Sequence, residues 1–199
     1  MEARVAVLAS GEGTNLQVLL DDPAVSGSIA LVVSDREDAP ALERARRSGV
    51  KAEFVDPTSH PDRGSYGRAL LKLLEEESVG YVVLAGFMRI LSPELVEAYR
   101  LRMLNVHPGL LPAFPGTDAV RDALEWGARV TGVTVHFVDE EMDHGPIVFQ
   151  GSTPVSPDDT WISLEARIHE LEHRLLPLAV KALIDGRIEV DGRRVRVRD

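Results

Sequence analysis

Cysteine is missing from this 199-residue chain, which excludes disulfides, thiol catalysis and thiolate metal sites. No apolar run approaches the ~18 residues that a membrane-spanning helix requires. Positive charge is in deficit: 22 Lys and Arg stand against 32 Asp and Glu, a net charge of −10. Nonspecific nucleic-acid binding needs a basic footprint, so neither nucleic acid nor membrane is an expected partner. An anionic small molecule would have to be held by local donors working against the overall field. The opening residues, MEAR, lack the charged, apolar and small-residue sections of a signal peptide. A cytoplasmic location is therefore expected, and the absence of cysteine fits it. What is present is ordinary globular composition, 44% hydrophobic and 27% charged, of a length suited to one domain over residues 1–199. Oligomeric state, monomer or homodimer, is not legible.

The first half alternates strand-like and helix-like segments. Residues 4–9 (RVAVLA), 29–34 (IALVVS), 51–55 and 81–85 (YVVLA) read as strands, with helices over 14–20, 40–48 and 63–77. This order predicts an α/β fold, a Rossmann-like, mostly parallel sheet with helices on both faces and right-handed crossovers. Further on, Ser92 caps a short helix over 93–99 and residues 101–106 form a fifth strand. Residues 107–116 (HPGLLPAFPG) are loop, and 118–126 a helix. Residues 130–138 and 146–155 are strands flanking the acidic segment 139–145 (DEEMDHG). Leu164, Ile168, Leu171, Leu175 and Leu178 mark a long helix over 160–184, which Pro177 should kink or divide. The tail reads as a hairpin with a type I′ turn at Asp191-Gly192.

Three motifs carry chemistry. Residues 10–15 (SGEGTN) join the first strand to the first helix. Small residues there let the backbone approach a ligand, and a helix N-terminus offers N–H groups to an anion. A tight turn with no ligand would use the same glycines. The start of a dinucleotide fingerprint is present, with Asp35 placed to hold a ribose, but Leu16 stands where a third glycine is required. The second motif is residues 105–112 (NVHPGLLP). Asn105 and His107 are two apart on a strand and so share a face. The amide can donate to a developing oxyanion and the imidazole can carry a proton near neutral pH. The third is Asp143, able to orient or charge-stabilise a histidine, with Asp139, Glu140 and Glu141 competing for that role. Residues 169–173 (HELEH) match the helical zinc-protease pattern literally. The charge at Glu172 and the lack of a third ligand favour a His169–Glu172 pair at i, i+3 on an exposed face, and no metal.

Four segments in order, residues 10–16 (SGEGTNL), 84–91 (LAGFMRIL), 105–112 (NVHPGLLP) and 143–146 (DHGP), resemble the folate-dependent glycinamide ribonucleotide formyltransferase family. The resemblance runs from Val5 to about Gly186. It implies the formyltransferase fold, with 1–100 a nucleotide-binding half and 101–199 a catalytic and folate-binding half. It implies transfer of a formyl group from the co-substrate 10-formyltetrahydrofolate to the amine of glycinamide ribonucleotide in purine biosynthesis, with no metal. Asn105, His107 and Asp143 match the family's catalytic trio. Gly13, Thr14 and Asn15 match its phosphate loop, Glu172 the acid that holds ribose hydroxyls, and His169 a further substrate contact. Met88, Arg89, Ile90 and Leu91 match a wall of the folate pocket. Asp139, Glu140, Glu141 and Met142, leading to Asp143, match the pterin loop, and Arg63 a basic residue near the folate tail. Gly109 departs from a more usual serine, and His144 from a small residue.

The expected chemistry is attack of a neutral amine on the formyl carbon, with Asn105 and a protonated His107 stabilising the oxyanion. His107, or a water fixed by Asp143, carries the protons. A formyltetrahydrofolate hydrolase and a non-catalytic nucleotide-binding regulator are the alternatives. The hydrolase family adds an N-terminal regulatory domain for which this length has no room.

Overall fold

The computed structural model describes residues 3–199, so the first two residues of the N-terminal reading lie outside the described residues. The chain divides into two compact units, the first ending at Leu104 and the second running Asn105–Asp199.

In the first unit, β1 (Val5–Leu8), β2 (Ile29–Ser34), β3 (Lys51–Phe54) and β4 (Tyr81–Leu84) alternate with α1 (Thr14–Asp21), α2 (Pro40–Arg47) and α3 (Arg63–Glu76), and α4 (Pro93–Ala98) follows. The strands lie in the order β3-β2-β1-β4, and the pairs β1–β2, β2–β3 and β1–β4 are all parallel. β1 is the centre, and all four of its residues are 0% exposed. That explains its unbroken apolar run, since a strand buried on both faces has no polar side to alternate with. Each such Val or Leu contributes about 1.5–3 kcal/mol through burial. The sheet changes direction at β1, with β2 on one side and β4 on the other. The 10–15 loop leaves the C-terminal end of β1 at this switch point, where open α/β sheets bind ligands. Ser92 caps α4 as anticipated, its side chain accepting from the Leu95 N–H. Asp62 and Ser65 form a reciprocal capping box on α3.

The second unit carries β6 (Val130–Phe137) and β7 (Ile147–Pro154) as an antiparallel pair, with β5 (Met103–His107) beside β6. α5 (Ala119–Trp126) packs on α6 (Trp161–Ile184), and α6 packs on β6 and β7. A separate hairpin, β8 (Ile188–Asp191) and β9 (Arg194–Val197), closes the chain.

Three expectations need correction. The fifth strand begins at Met103, not residue 101, because Leu101 takes a left-handed φ of 54° that no strand accommodates. It therefore ends on His107, inside the strand rather than past it. Pro177 does not divide α6: the helix is continuous, and Leu176, Pro177, Ala179 and Val180 are all buried. Their burial offsets the roughly 3 kcal/mol that an interior proline costs a helix. The hairpin turn has Gly192 and Arg193 at its centre, because Asp191 pairs with Arg194. Only Gly192 has a positive φ, 58°, the pattern of a II′ rather than a I′ turn.

Candidate active site

The 10–13 loop is held rigidly. Ser10 N–H donates to the Gly86 carbonyl at 3.0 Å, and Ala41 N–H to the Gly11 carbonyl at 3.2 Å. Arg44 Nε donates to the Glu12 carbonyl at 2.7 Å, and Ser10 Oγ accepts the Met88 N–H at 2.9 Å. Gly13 has a φ of 71°, and a Cβ there would lie 2.8 Å from both Cα and Cβ of Ala41. Packing against α2 thus requires glycine whatever the loop binds. α1 starts on this glycine, which has no side chain to cap it, so the N–H groups at Thr14 and Asn15 form the positive end of the helix dipole. Leu16 is fully buried in the core. Asp35 is committed to an ion pair with Arg89, Oδ2 to Nε 2.7 Å. Both features weigh against the dinucleotide reading. Arg89, anticipated as a folate contact, is anchored by this pair and lies over the Tyr66 ring at 6.0 Å. Met88 and Ile90 are 65% and 59% exposed, whereas Leu91 is buried core. Arg63 is exposed at the first turn of α3, a cation where the helix dipole disfavours one.

The second unit gathers the trio. Asn105 and His107 come from β5, and Asp143 from the loop between β6 and β7. Asp143 Oδ2 stands 3.4 Å from His107 Nδ1 and accepts the Gly116 N–H at 2.8 Å. Asn105 Nδ2 donates to Asp143 Oδ1 at 3.4 Å. Asp143 reaches this position through a left-handed φ of 51°. A Cβ at Gly145 would collide with the Phe137 carbonyl, so that glycine lets the loop return tightly onto β6. Burial pushes the Asp143 carboxyl up, but His136, the Gly116 N–H and the charge that His107 carries in the acid range where a carboxylate titrates outweigh it and hold the pKa below its ordinary value. It stays ionised.

A fourth side chain, unseen in the sequence, belongs here. His136 on β6 is 2% exposed. Its Nδ1 donates to the Phe137 carbonyl at 2.7 Å, which leaves Nε2 as the ring nitrogen that faces Asn105 Nδ2, at 3.2 Å. Nε2 also lies 3.7 Å from Asp143 Oδ1. The sequence reading placed residue 136 within a strand over 130–138 and gave it no chemistry.

His107 is 2% exposed. Burial lowers its pKa from the ordinary 6.5, and the Asp143 charge and the Phe114 carbonyl pull the other way without prevailing. In the free protein the imidazole therefore favours its neutral form at pH 7, whereas the oxyanion role anticipated for it uses the protonated form. Its Nε2 donates to the Phe114 carbonyl at 2.9 Å. The loop beyond it, which contains a cis Leu111–Pro112 peptide, is secured by Thr134. That hydroxyl donates to the Gly109 carbonyl at 2.7 Å. It accepts from Leu111 N–H at 3.1 Å and from Gln150 Nε2 at 2.9 Å, its full capacity.

The acidic loop is internally braced. Asp139 accepts from His144 Nδ1 at 2.8 Å and from the Glu141 N–H at 3.1 Å. Arg193 Nη2 donates to the His144 carbonyl at 2.6 Å. Glu140, Glu141 and Met142 are exposed. His169 Nδ1 and Glu172 Oε2 form the anticipated pair at 2.9 Å. The face is not the expected one: the Glu172 side chain is only 6% exposed, because α6 is covered by β6 and β7. The Glu172 carboxylate raises the His169 pKa above its ordinary value. His169 and His173 stack at 6.1 Å, and among the described residues no three or more His, Cys, Asp or Glu side chains are arranged so that they could hold a metal ion.

The formyl transferase family profile matches residues 3–180. The chain is 40% identical over 189 residues to the phosphoribosylglycinamide formyltransferase of Escherichia coli, covering 94% of this chain and 89% of that one. It is 41% identical over 192 residues to the human trifunctional purine biosynthetic protein adenosine-3, covering 95% of this chain but spanning only 19% of that relative's length. It superposes on glycinamide ribonucleotide transformylase 1 from Symbiobacterium toebii with a TM-score of 0.95 and 47% identity, covering 99% and 94% of the two chains. The chain belongs to the formyl transferase family.

Proposed function

We propose that this chain transfers the formyl group of 10-formyltetrahydrofolate to the amine of glycinamide ribonucleotide. The observation that carries this is the match over nearly the whole length of the Escherichia coli phosphoribosylglycinamide formyltransferase. The convergence of Asn105, His107 and Asp143 supports it, because acyl transfer to an amine needs an oxyanion donor and a proton carrier within reach of one carbon.

In this proposal the amine attacks the formyl carbon and charge builds on the formyl oxygen. Asn105 supplies the donor by turning its longer bond, the 3.4 Å contact to Asp143, toward that oxygen, while His136 keeps the amide oriented. Neutral His107 takes the amine proton. With Nε2–H committed to Phe114, the basic nitrogen is Nδ1, and the Asp143 carboxylate stabilises the imidazolium that forms. The proton then passes to the departing folate nitrogen, so the ring returns to neutral and the C–N bond to folate breaks as the new one is completed.

Gly13, Thr14 and Asn15 are assigned to the ribonucleotide phosphate, and His169 and Glu172 to its ribose. Arg63, Met88, Arg89, Ile90, Leu91 and Asp139 to Met142 are assigned to the folate. The deciding experiment is an assay of tetrahydrofolate release from 10-formyltetrahydrofolate with and without glycinamide ribonucleotide. Release that depends on the ribonucleotide is the expected result. Release without it would make the chain a hydrolase, and no release with tight nucleotide binding would make it a regulator.

A further inference from the structure

The loop between β6 and β7 is held in two places by different means. Asp143 accepts the Gly116 N–H at 2.8 Å. The residues around it are tied instead to the last turn of the chain. Arg193 sits at the centre of the β8–β9 turn, and β9 packs on β7. Arg193 Nη2 donates to the His144 carbonyl at 2.6 Å, and Nη1 lies 3.1 Å from His144 Nε2. The other ring nitrogen, Nδ1, lies 2.8 Å from Asp139 Oδ2. Asp139 Oδ1 in turn accepts the Glu141 N–H at 3.1 Å. One guanidinium therefore grips both the backbone and the side chain of His144, and the imidazole carries that restraint across the loop to Asp139. A guanidinium has no acceptor and a carboxylate no donor. Only a neutral ring protonated on Nδ1 satisfies both contacts, since a proton on Nε2 would set N–H against N–H.

We propose that Arg193 and His144 form a clasp through which the C-terminal hairpin holds residues 139–142 in the conformation that receives the folate. Both are positioning residues, and they act through the loop. Asp143 has its own anchor at Gly116, so the clasp governs how readily the folate binds and leaves the rate of the chemical step alone. Arg193 and His144 are exposed, and contacts of this kind are individually weak. They matter together because a loop already ordered loses less conformational freedom when its ligand arrives. The clasp itself is independent of the assigned reaction; its link to the folate rests on the proposed function.

The test uses the full-length protein as wild type, Arg193→Ala, His144→Ala, the double variant and Arg193→Lys. Nitrogen NMR of the wild type should show His144 protonated on Nδ1 and bare on Nε2. In Arg193→Ala, amide hydrogen exchange at Glu141 should quicken. The KM for 10-formyltetrahydrofolate should rise roughly 3- to 10-fold, the joint effect of several weak contacts. The kcat and the KM for the ribonucleotide should change little. Arg193→Lys still reaches the His144 carbonyl but cannot also span the ring, so it should recover part of both losses. The double variant should be little worse than the worse single one, because the two residues act in series. A wild-type ring protonated on Nε2 overturns the proposal, as does unchanged exchange in Arg193→Ala. So does quickened exchange with the folate KM unaltered, an equal rise in both KM values, or fully additive losses in the double variant. A chain that transfers no formyl group would sink the proposed function instead; direct titration with 10-formyltetrahydrofolate would then replace KM as the readout of the clasp.

Discussion

One carboxylate oxygen serves two partners: Asp143 Oδ2 faces His107 Nδ1 at 3.4 Å and accepts the Gly116 N–H at 2.8 Å. The backbone bond is the shorter and fixes the carboxylate in place. The histidine contact is longer and electrostatic, and it strengthens when the ring takes a proton. Under the proposed mechanism the loop preorganises Asp143 for the charge that His107 takes on during reaction, the arrangement from which transition-state stabilisation is expected.

Neutralising that carboxylate isolates its effect. Asp143→Asn keeps the shape and an oxygen able to accept the Gly116 N–H, but removes the charge opposite His107. We expect kcat to fall by about 10²–10⁴, the usual worth of positioned acid–base catalysis, with KM for both substrates much less affected. Glu125→Gln, an exposed position on α5, serves as control and should be silent. Near-normal turnover by Asp143→Asn would show that the trio is wrongly assigned.

The pH profile separates a neutral from a protonated His107. Burial sets its folded-state pKa below 6.5. As a base the ring must be neutral, so kcat/KM should hold above pH 6.5 and decline only as pH falls through that lower value. A requirement for the imidazolium would instead raise activity toward acid. Stability has the same sign. Between the folded-state value and 6.5 the unfolded chain binds a proton that the folded chain does not, so this contribution is complete above pH 6.5 and lost on acidification. His169 runs opposite, its contribution present below pH 6.5 and lost as pH rises through its raised value. Melting temperatures of His107→Asn at pH 5.5 and 7.5 should differ less than those of the wild type.

His136 is expected to matter through Asn105. His136→Leu removes the acceptor that Asn105 Nδ2 meets at 3.2 Å. A part-buried donor left unpaired costs about 1–3 kcal/mol, readable in denaturant unfolding, and kcat should drop with it. His136→Gln, which offers an amide oxygen, should recover part of both. Equal losses in the two variants would argue against an orienting hydrogen bond.

The phosphate loop calls for a substitution that spares the fold. Gly13→Val is unsuitable, since its φ of 71° and the 2.8 Å approach of Ala41 destabilise the loop with any side chain. Thr14→Val is nearly isosteric and removes only a hydroxyl. A hydrogen bond to a charged group is worth about 1.5–3 kcal/mol, so KM for the ribonucleotide should rise roughly 10- to 100-fold, with little change for the folate. A matching rise for both substrates would remove Thr14 from the phosphate site.

Exhaustive chelation should leave activity intact. His169 Nδ1 is already bonded to Glu172 at 2.9 Å, and a zinc ion would have to displace that bond. Stoichiometric zinc at His169 and His173, with activity lost on its removal, would refute the metal-free mechanism.

The sequence by itself determined most strands and helices of the first unit, because β1, β2 and β4 are apolar runs bounded by turn residues and two of the helices, α3 and α4, carry side-chain caps, Asp62 and Ser92. It also determined that Asn105 and His107 share a face, since two residues along a strand do so by geometry alone. Local signals of this kind act within a few residues, and they fail where distant segments decide. The residues alone left Asp143 competing with Asp139, Glu140 and Glu141, and the family resemblance singled it out; the tertiary structure adds the geometry, a left-handed φ that sets Asp143 on the Gly116 N–H, while Asp139 accepts from His144. Only the fold brought His136 from β6 to Asn105, and buried Glu172 beneath a helix face that periodicity alone placed in solvent. The downward shift of the His107 pKa has the same origin. An imidazole's pKa follows from how much water the surrounding chain excludes, and no stretch of sequence records that.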